Sequence, residues 1–167
     1  MDVSMSFFFD RDAVTKAVDR GKRRALGRTG ALIRKIARDG LKVGRMMSPE
    51  EMTPERRQLH AGWLEKGNGS LSRWQERFFR MPSEPGDRPF LHWEQSWLKS
   101  KLFFSFDPQT SSVVVGPQRF GDGVAGVLEH GGVDPYYGYN VFARPFMAPA
   151  EERARSTYVK FWENAIR

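Results

Sequence analysis

Apolar and small residues recur at three-, four- or seven-residue steps early in the chain: Val14, Val18, Gly21, Ala25, Leu32, Ile36 and Val43. That spacing predicts one stripe of an amphipathic helix of period 3.6 over residues 10–45. Asp10 follows three phenylalanines and suits the N-cap, where its carboxylate can accept an otherwise unpaired N–H of the first turn. Lys16, Arg20, Arg23, Arg24, Arg34, Lys35, Arg38 and Lys42 fall mostly off the stripe. Gly21, Gly27, Gly30 and Gly40 each cost about 1 kcal/mol relative to Ala in a helix interior. A helix that keeps them is expected either to bend or to be approached closely by another element.

The pattern loses its regularity over residues 46–90. "MMSPEEMTPERRQ" carries two prolines that read as helix starts or turns, and "EKGNGSLS" reads as a flexible loop. "SLSRWQERFF" suits a short helix capped by Ser70 or Ser72. "MPSEPGDRPF", with three prolines and a glycine, excludes a helix interior or a central strand. Alternation then takes over. Leu98, Leu102, Phe104 and Phe106 in "SWLKSKLFFSFD" suggest a half-buried strand, "PQTS" is turn chemistry, and "SVVVGP" is a second strand ended by Pro117. An antiparallel hairpin follows. "GVAGVLEHGG" reads as a third strand or a helical turn, with another short strand near Tyr139–Phe142. Pro149, Glu151 and Glu152 suit the first turn of a terminal helix, whose buried stripe is Ala150, Ala154, Tyr158, Phe161 and Ala165. Helix, irregular insert, strands and helix in that order make an α+β fold. A long N-terminal and a C-terminal helix pack on a small antiparallel sheet, in one domain over residues 1–167.

Charge sharpens this picture. Residues 1–45 hold twelve Lys/Arg and five Asp, whereas the remainder holds fifteen of each sign, so the whole net charge of +7 lies in the first quarter of the chain. Such asymmetry suits a polyanion or an acidic partner surface. No apolar run approaches the ~18 residues that a bilayer span requires, and "MSFFFD" is too short for a secretory h-region. The absence of cysteine excludes disulfides, thiolate metal sites and a cysteine nucleophile.

Candidate chemistry changes little. Gly121, Gly123 and Gly126 spell G-x-G-x-x-G after the valine strand. A dinucleotide site would need a helix opening at the third glycine and a second parallel strand, and only four residues separate Gly126 from Gly131-Gly132. His60, His92 and His130 are far apart, and no serine stands in a nucleophile elbow. The expectation is a protein without enzymatic activity or cofactor. A long glycine-rich connection between strands is instead often an interaction loop. The aromatic stretch "YYGYNVF" is either interface or core.

Three segments in order carry a resemblance. They are "FFFDRDAV" leading to "GALIRKIARDGLK", then "PSEPGDRPFLHWEQSWLKSKLFFSFDPQTSSVVVGP", then "VLEHGG" followed by "ARPFMAPA". The chain resembles the neck or tail-completion family of tailed bacteriophages and prophages, outside about residues 46–80. The resemblance implies a virion structural protein at the neck, assembled in the host cytoplasm. It implies a homo-oligomeric ring, commonly six-fold, between the portal/adaptor assembly and the tail, surrounding the DNA channel. In that setting Arg20, Arg23, Arg24, Arg34, Lys35 and Arg38 are candidates for a neighbouring ring or for phosphate contacts to DNA. Arg119, Phe120 and Asp122 are candidates for contact between subunits. Glu129, Arg144, Pro145 and Phe146 are candidate structural anchors, with Arg144 able to pair with an acid such as Glu129. The alternative is a basic nucleic-acid-binding module whose N-terminal helix grips phosphates.

Overall fold

The computed structural model describes residues 10–89, 96–118, 123–134, 138–163 and 165. Helix α1 (Arg11–Gly40) runs unbroken for 30 residues, and Asp10 Oδ1 accepts the Ala13 N–H at 2.9 Å as its N-cap. It ends five residues earlier than the apolar stripe predicts, because Leu41 turns extended (φ −82°, ψ 105°). Antiparallel strands β1 (Leu102–Asp107) and β2 (Ser112–Pro117) form the expected hairpin, with Phe104 opposite Val115 and Phe106 opposite Val113. Helix α6 (Ala148–Glu163) is the expected terminal helix, with Ala150 and Ala154 fully buried. The fold is α+β: α1 and α6 pack together beside two small antiparallel sheets.

The main core joins Ile33, Ala37 and Leu41 to Leu98, Leu102, Phe146, Ala150 and Ala154. The buried face of α1 steps by four through Gly21, Ala25, Thr29, Ile33 and Ala37 to the C-cap Leu41, with Gly30 beside them, and its last three members enter the main core. Most of these are small, so α6 and the hairpin can approach the α1 backbone. At Gly30 an added Cβ would stand 2.6 Å from Val113 and 2.7 Å from Phe104, closer than carbon atoms approach. Thr29 satisfies its buried hydroxyl by donating to the Ala25 carbonyl at 3.0 Å. Close approach therefore accounts for Gly30, and the Arg88 guanidinium covers Gly40 in the same way.

Residues 46–90 contain more structure than their composition suggests. Helix α2 (Pro54–Lys66) starts on Pro54 with Thr53 as its cap. A short α3 (Arg73–Glu76) continues into a 3-10 turn at Arg77–Phe79. Met47, Met52 and fully buried Phe79 form a second core, flanked by Trp63, Leu71 and Met81. His60 and Trp63 meet the Phe79 ring edge-on at 4.6 and 5.7 Å, and Met46 bridges to Arg80. At the entry Arg45 and Glu51 form an ion pair, and Glu51 also accepts the Ser48 N–H at 2.8 Å. These bonds hold the Glu51 carboxyl down at about 2.

One prediction along the chain is corrected and one alternative is decided. Leu98 lies in a helical turn, α4 (Ser96–Ser100), rather than on the first strand. Among the alternatives for "GVAGVLEHGG", the helix is realised: α5 spans Val124–His130. Gly131 follows at φ 76°, with Ala143 N and Val141 O 3.1 and 3.2 Å from where its Cβ would stand. Two-residue strands β3 (Gly132–Val133) and β4 (Asn140–Val141) then pair antiparallel.

Candidate functional site

The basic face of α1 is built by helical geometry. At about 100° per residue, Arg20, Arg23, Arg24, Arg34, Lys35 and Arg38 share an arc of about 120°. The buried stripe does not stay diametrically opposite. Each four-residue step turns it by about 40°, so it winds from one flank of the basic arc round to the other. The six candidates are separated accordingly. Arg20, Arg23, Arg24 and Lys35 are exposed, whereas Arg34 and Arg38 are half-buried against the core. Arg34 Nε donates to the Leu102 carbonyl at 2.5 Å and ties α1 to the first residue of β1. Arg38 Nε is shut from solvent without a hydrogen-bond partner. Of the six candidates, the solvent-facing ones are therefore Arg20, Arg23, Arg24 and Lys35.

Around Arg20 the surface is shaped. Lys16, Asp19, Arg20 and Arg23 line a depression of about 310 Å³. Beside it Asp19, Lys22 and Arg23 face the hairpin tip at Phe106, Pro108 and Ser111. The Arg23 guanidinium lies 5.1 Å from the Phe106 ring centroid, a cation–π contact that holds it toward the hairpin.

Apolar side chains stand exposed nearby. The hairpin is covered by α1 on one face only. Its other face presents Phe103 and Val114, 48 % and 63 % exposed, around an apolar hollow of about 430 Å³ that also reaches Gly116 and Pro117. At the β3–β4 end Tyr139 and Phe142 are exposed at 57 % and 68 %. The described part of the aromatic stretch is thus surface, not core.

The anchor residues act differently from simple pairing. Glu129, near the end of α5, accepts the backbone N–H groups of Phe146, Met147 and Ala148 at 2.9, 3.0 and 2.9 Å. Its carboxylate caps α6 from outside that helix, satisfying donors that have no intrahelical partner. Arg144 is not its ion-pair partner. Arg144 Nε donates to the Ser83 carbonyl at 3.2 Å and Nη1 to the Phe142 carbonyl at 3.3 Å, while its backbone N–H donates to Leu128 at 2.7 Å. Half-buried Pro145 leads into Phe146, which is 1 % exposed in the main core. The acid near α6 is spent on backbone N–H groups, so Arg144 turns to backbone carbonyls instead.

Arg119, Phe120 and Asp122, with Gly121, lie outside the described residues, as does His92. Gly123 is the left-handed residue before α5, which starts ahead of Gly126, and β3 pairs antiparallel with β4. That is not the βαβ frame of a dinucleotide site. His60 packs on Phe79 and His130 ends α5. Among the described residues no group of three or more His, Asp or Glu gathers as a metal site, and no helix is long and apolar enough to cross a membrane. No protein-family model, curated protein or solved structure matches the chain.

Proposed function

We propose that this chain is a structural protein of a tailed-phage or phage-derived particle, a neck component acting by shape and charge. Its copies form a ring between the portal/adaptor side and the tail and surround the DNA channel. The reading starts from the sequence resemblance. One structural observation supports it: apolar side chains stand exposed on separate elements, at Phe103 and Val114 on the hairpin and at Tyr139 and Phe142 on the β3–β4 end. Patches of this kind mark protein contacts. Two different patches meeting head to tail on successive copies generate a ring when the rotation closes.

Native mass spectrometry with negative-stain microscopy tests this reading. The chain is expected to form closed rings, alone or on isolated head particles. A Phe103→Ser/Val114→Ser double variant is expected to lose them while keeping its circular dichroism spectrum. A chain that stays monomeric alone and fails to join head or tail particles overturns the reading.

A basic nucleic-acid module is the second reading, favoured by the exposed cluster Arg20, Arg23 and Arg24. It requires the isolated chain to bind duplex DNA with a steep salt dependence. The triple change to Gln is then expected to reduce the slope of log K against log salt by about 3, close to one per lost phosphate contact. Weak binding with a shallow slope in the unaltered chain excludes it as the main role.

A further inference from the structure

A second basic feature lies away from the exposed Arg20–Arg24 cluster, where α1 ends. Ile36, Asp39, Gly40 and Lys42 form one wall of a cleft of about 530 Å³, and Asp87, Arg88 and Arg153 of α6 form the rest. Gly40 makes the cleft possible. A Cβ there would overlap the Arg88 guanidinium, so any other residue would push Arg88 out of place.

The charges of this cleft are not settled within the chain. Arg88 Nη2 is shut from solvent and makes no hydrogen bond. A buried donor left in that state, on a charged group above all, is costly. Arg153 stands close enough to repel Arg88: burial first, and then the Arg153 charge, lower the pKa of Arg88 from its usual value. Asp39 and Asp87 also line the cleft, yet neither forms an ion pair with these cations among the described residues. Two guanidinium-bearing side chains and an ammonium line one space, so an oxyanion there draws on their accessible N–H donors and on Arg88 Nη2 once that guanidinium turns toward the cleft. Phosphoryl oxygens match that donor set better than a single point charge does.

We propose that the cleft formed by Lys42, Arg88 and Arg153 beside Gly40 is a binding site for a phosphoryl oxyanion, free or carried on a nucleic-acid backbone. The bound oxyanion accepts from Arg88 and Arg153 together and turns their repulsion into a shared attraction. The proposal is independent of ring assembly, because it concerns a cleft within one chain.

The test is a titration of the full chain with inorganic phosphate, followed by NMR of the backbone amides and arginine Nε–H groups. Saturable shifts are expected at residues 36–42, 87–88 and 153. Arg153 is exposed, so Arg153→Gln leaves the fold intact and is expected to weaken binding about tenfold. Arg88→Gln is expected to weaken it at least as much, and it is read alongside Arg153→Gln because Arg88 also packs on Gly40. Lys22→Gln, in the other basic region, is expected to change nothing. A short DNA duplex that competes with phosphate at residues 87–88 and 153 identifies the backbone phosphate as the source. Duplex shifts confined to residues 16–24 identify the free ion. Absence of saturable shifts in the cleft overturns the proposal, as does equal affinity of the unaltered chain and Arg153→Gln. Acetate binding as tightly as phosphate overturns the phosphoryl assignment.

Discussion

The two halves of α1 belong to one continuous helix and have opposite fates. Residues 11–20 are exposed apart from half-buried Ala17, including Val14 at 45 % and Val18 at 41 %, although valine is the most apolar residue type there. Residues 21–40 bury two glycines, two alanines and a threonine, with Ile33 as the one large side chain among them. Burial on this helix is decided by what stands opposite, not by how apolar a residue is. The packed half faces α6 and the hairpin, which need small side chains for close approach. The first half extends past both partners and keeps a short valine stripe open. A basic helix that leaves Val14 and Val18 uncovered by its own chain, while Leu32, Ile33 and Ile36 pack in its second half, suits contact of its first half with another molecule.

The largest test of this contrast exchanges charge for carbon at matched positions. Ala37→Asp places a carboxylate at a fully buried site with no partner and is expected to cost at least about 3 kcal/mol, enough to unfold a marginal domain. Val18→Asp is expected to move stability by less than about 0.5 kcal/mol. Urea denaturation of both variants decides it, and equal destabilisation would break the contrast. Next in size is Gly30→Val, which drives carbon into Val113 and Phe104 and is expected to cost about 2–3 kcal/mol. Gly27 has open space around it, so Gly27→Ala is expected to stabilise by about 0.5–1 kcal/mol through helix propensity alone. Opposite shifts in melting temperature would support both statements.

Glu129→Ala removes the acceptor for three N–H groups at the start of α6. A loss of about 1–2 kcal/mol is expected, with faster amide exchange in α6 and in residues 29–40 of α1, while residues 11–20 keep their rates. Asp10→Ala has the smallest effect. Faster exchange is expected only in the first turns of α1, where the cap is worth about 1 kcal/mol locally, with no change in the global midpoint.

Much of the architecture was legible from local rules. Asp10 as cap, Pro54 as a helix start, the hairpin turn and the alanine stripe of α6 are features whose causes lie within a few residues. The misses have non-local causes. Of the predicted stripe, Gly21 and Ala25 are buried and Leu32 and Ile36 pack against the core, but Val14, Val18 and Val43 stand exposed because no partner element covers them. Arg34 reads as a free cation on the basic face and becomes a tie to Leu102, 68 residues away. Glu129 reads as an ion-pair partner for Arg144 because two opposite charges invite pairing. Its actual partners, three backbone N–H groups, exist only after the chain has folded back. In residues 46–80 prolines and glycines mask a small core centred on Phe79, whose members Met47, Met52 and Trp63 follow no simple period.

Glu129 also points to an expected order of folding. Its bonds to residues 146–148 close loops of 17–19 residues, whereas the bond from Arg34 to Leu102 closes one of 68. The shorter closure costs less chain entropy and is reached sooner. Helices α5 and α6 are therefore expected to form the early kinetic unit, in which α5 delivers the carboxylate that starts α6. The hairpin docks onto α1 later, when the longer loop closes. A substitution at Glu129 should then slow refolding, whereas one at Arg34 should mainly speed unfolding.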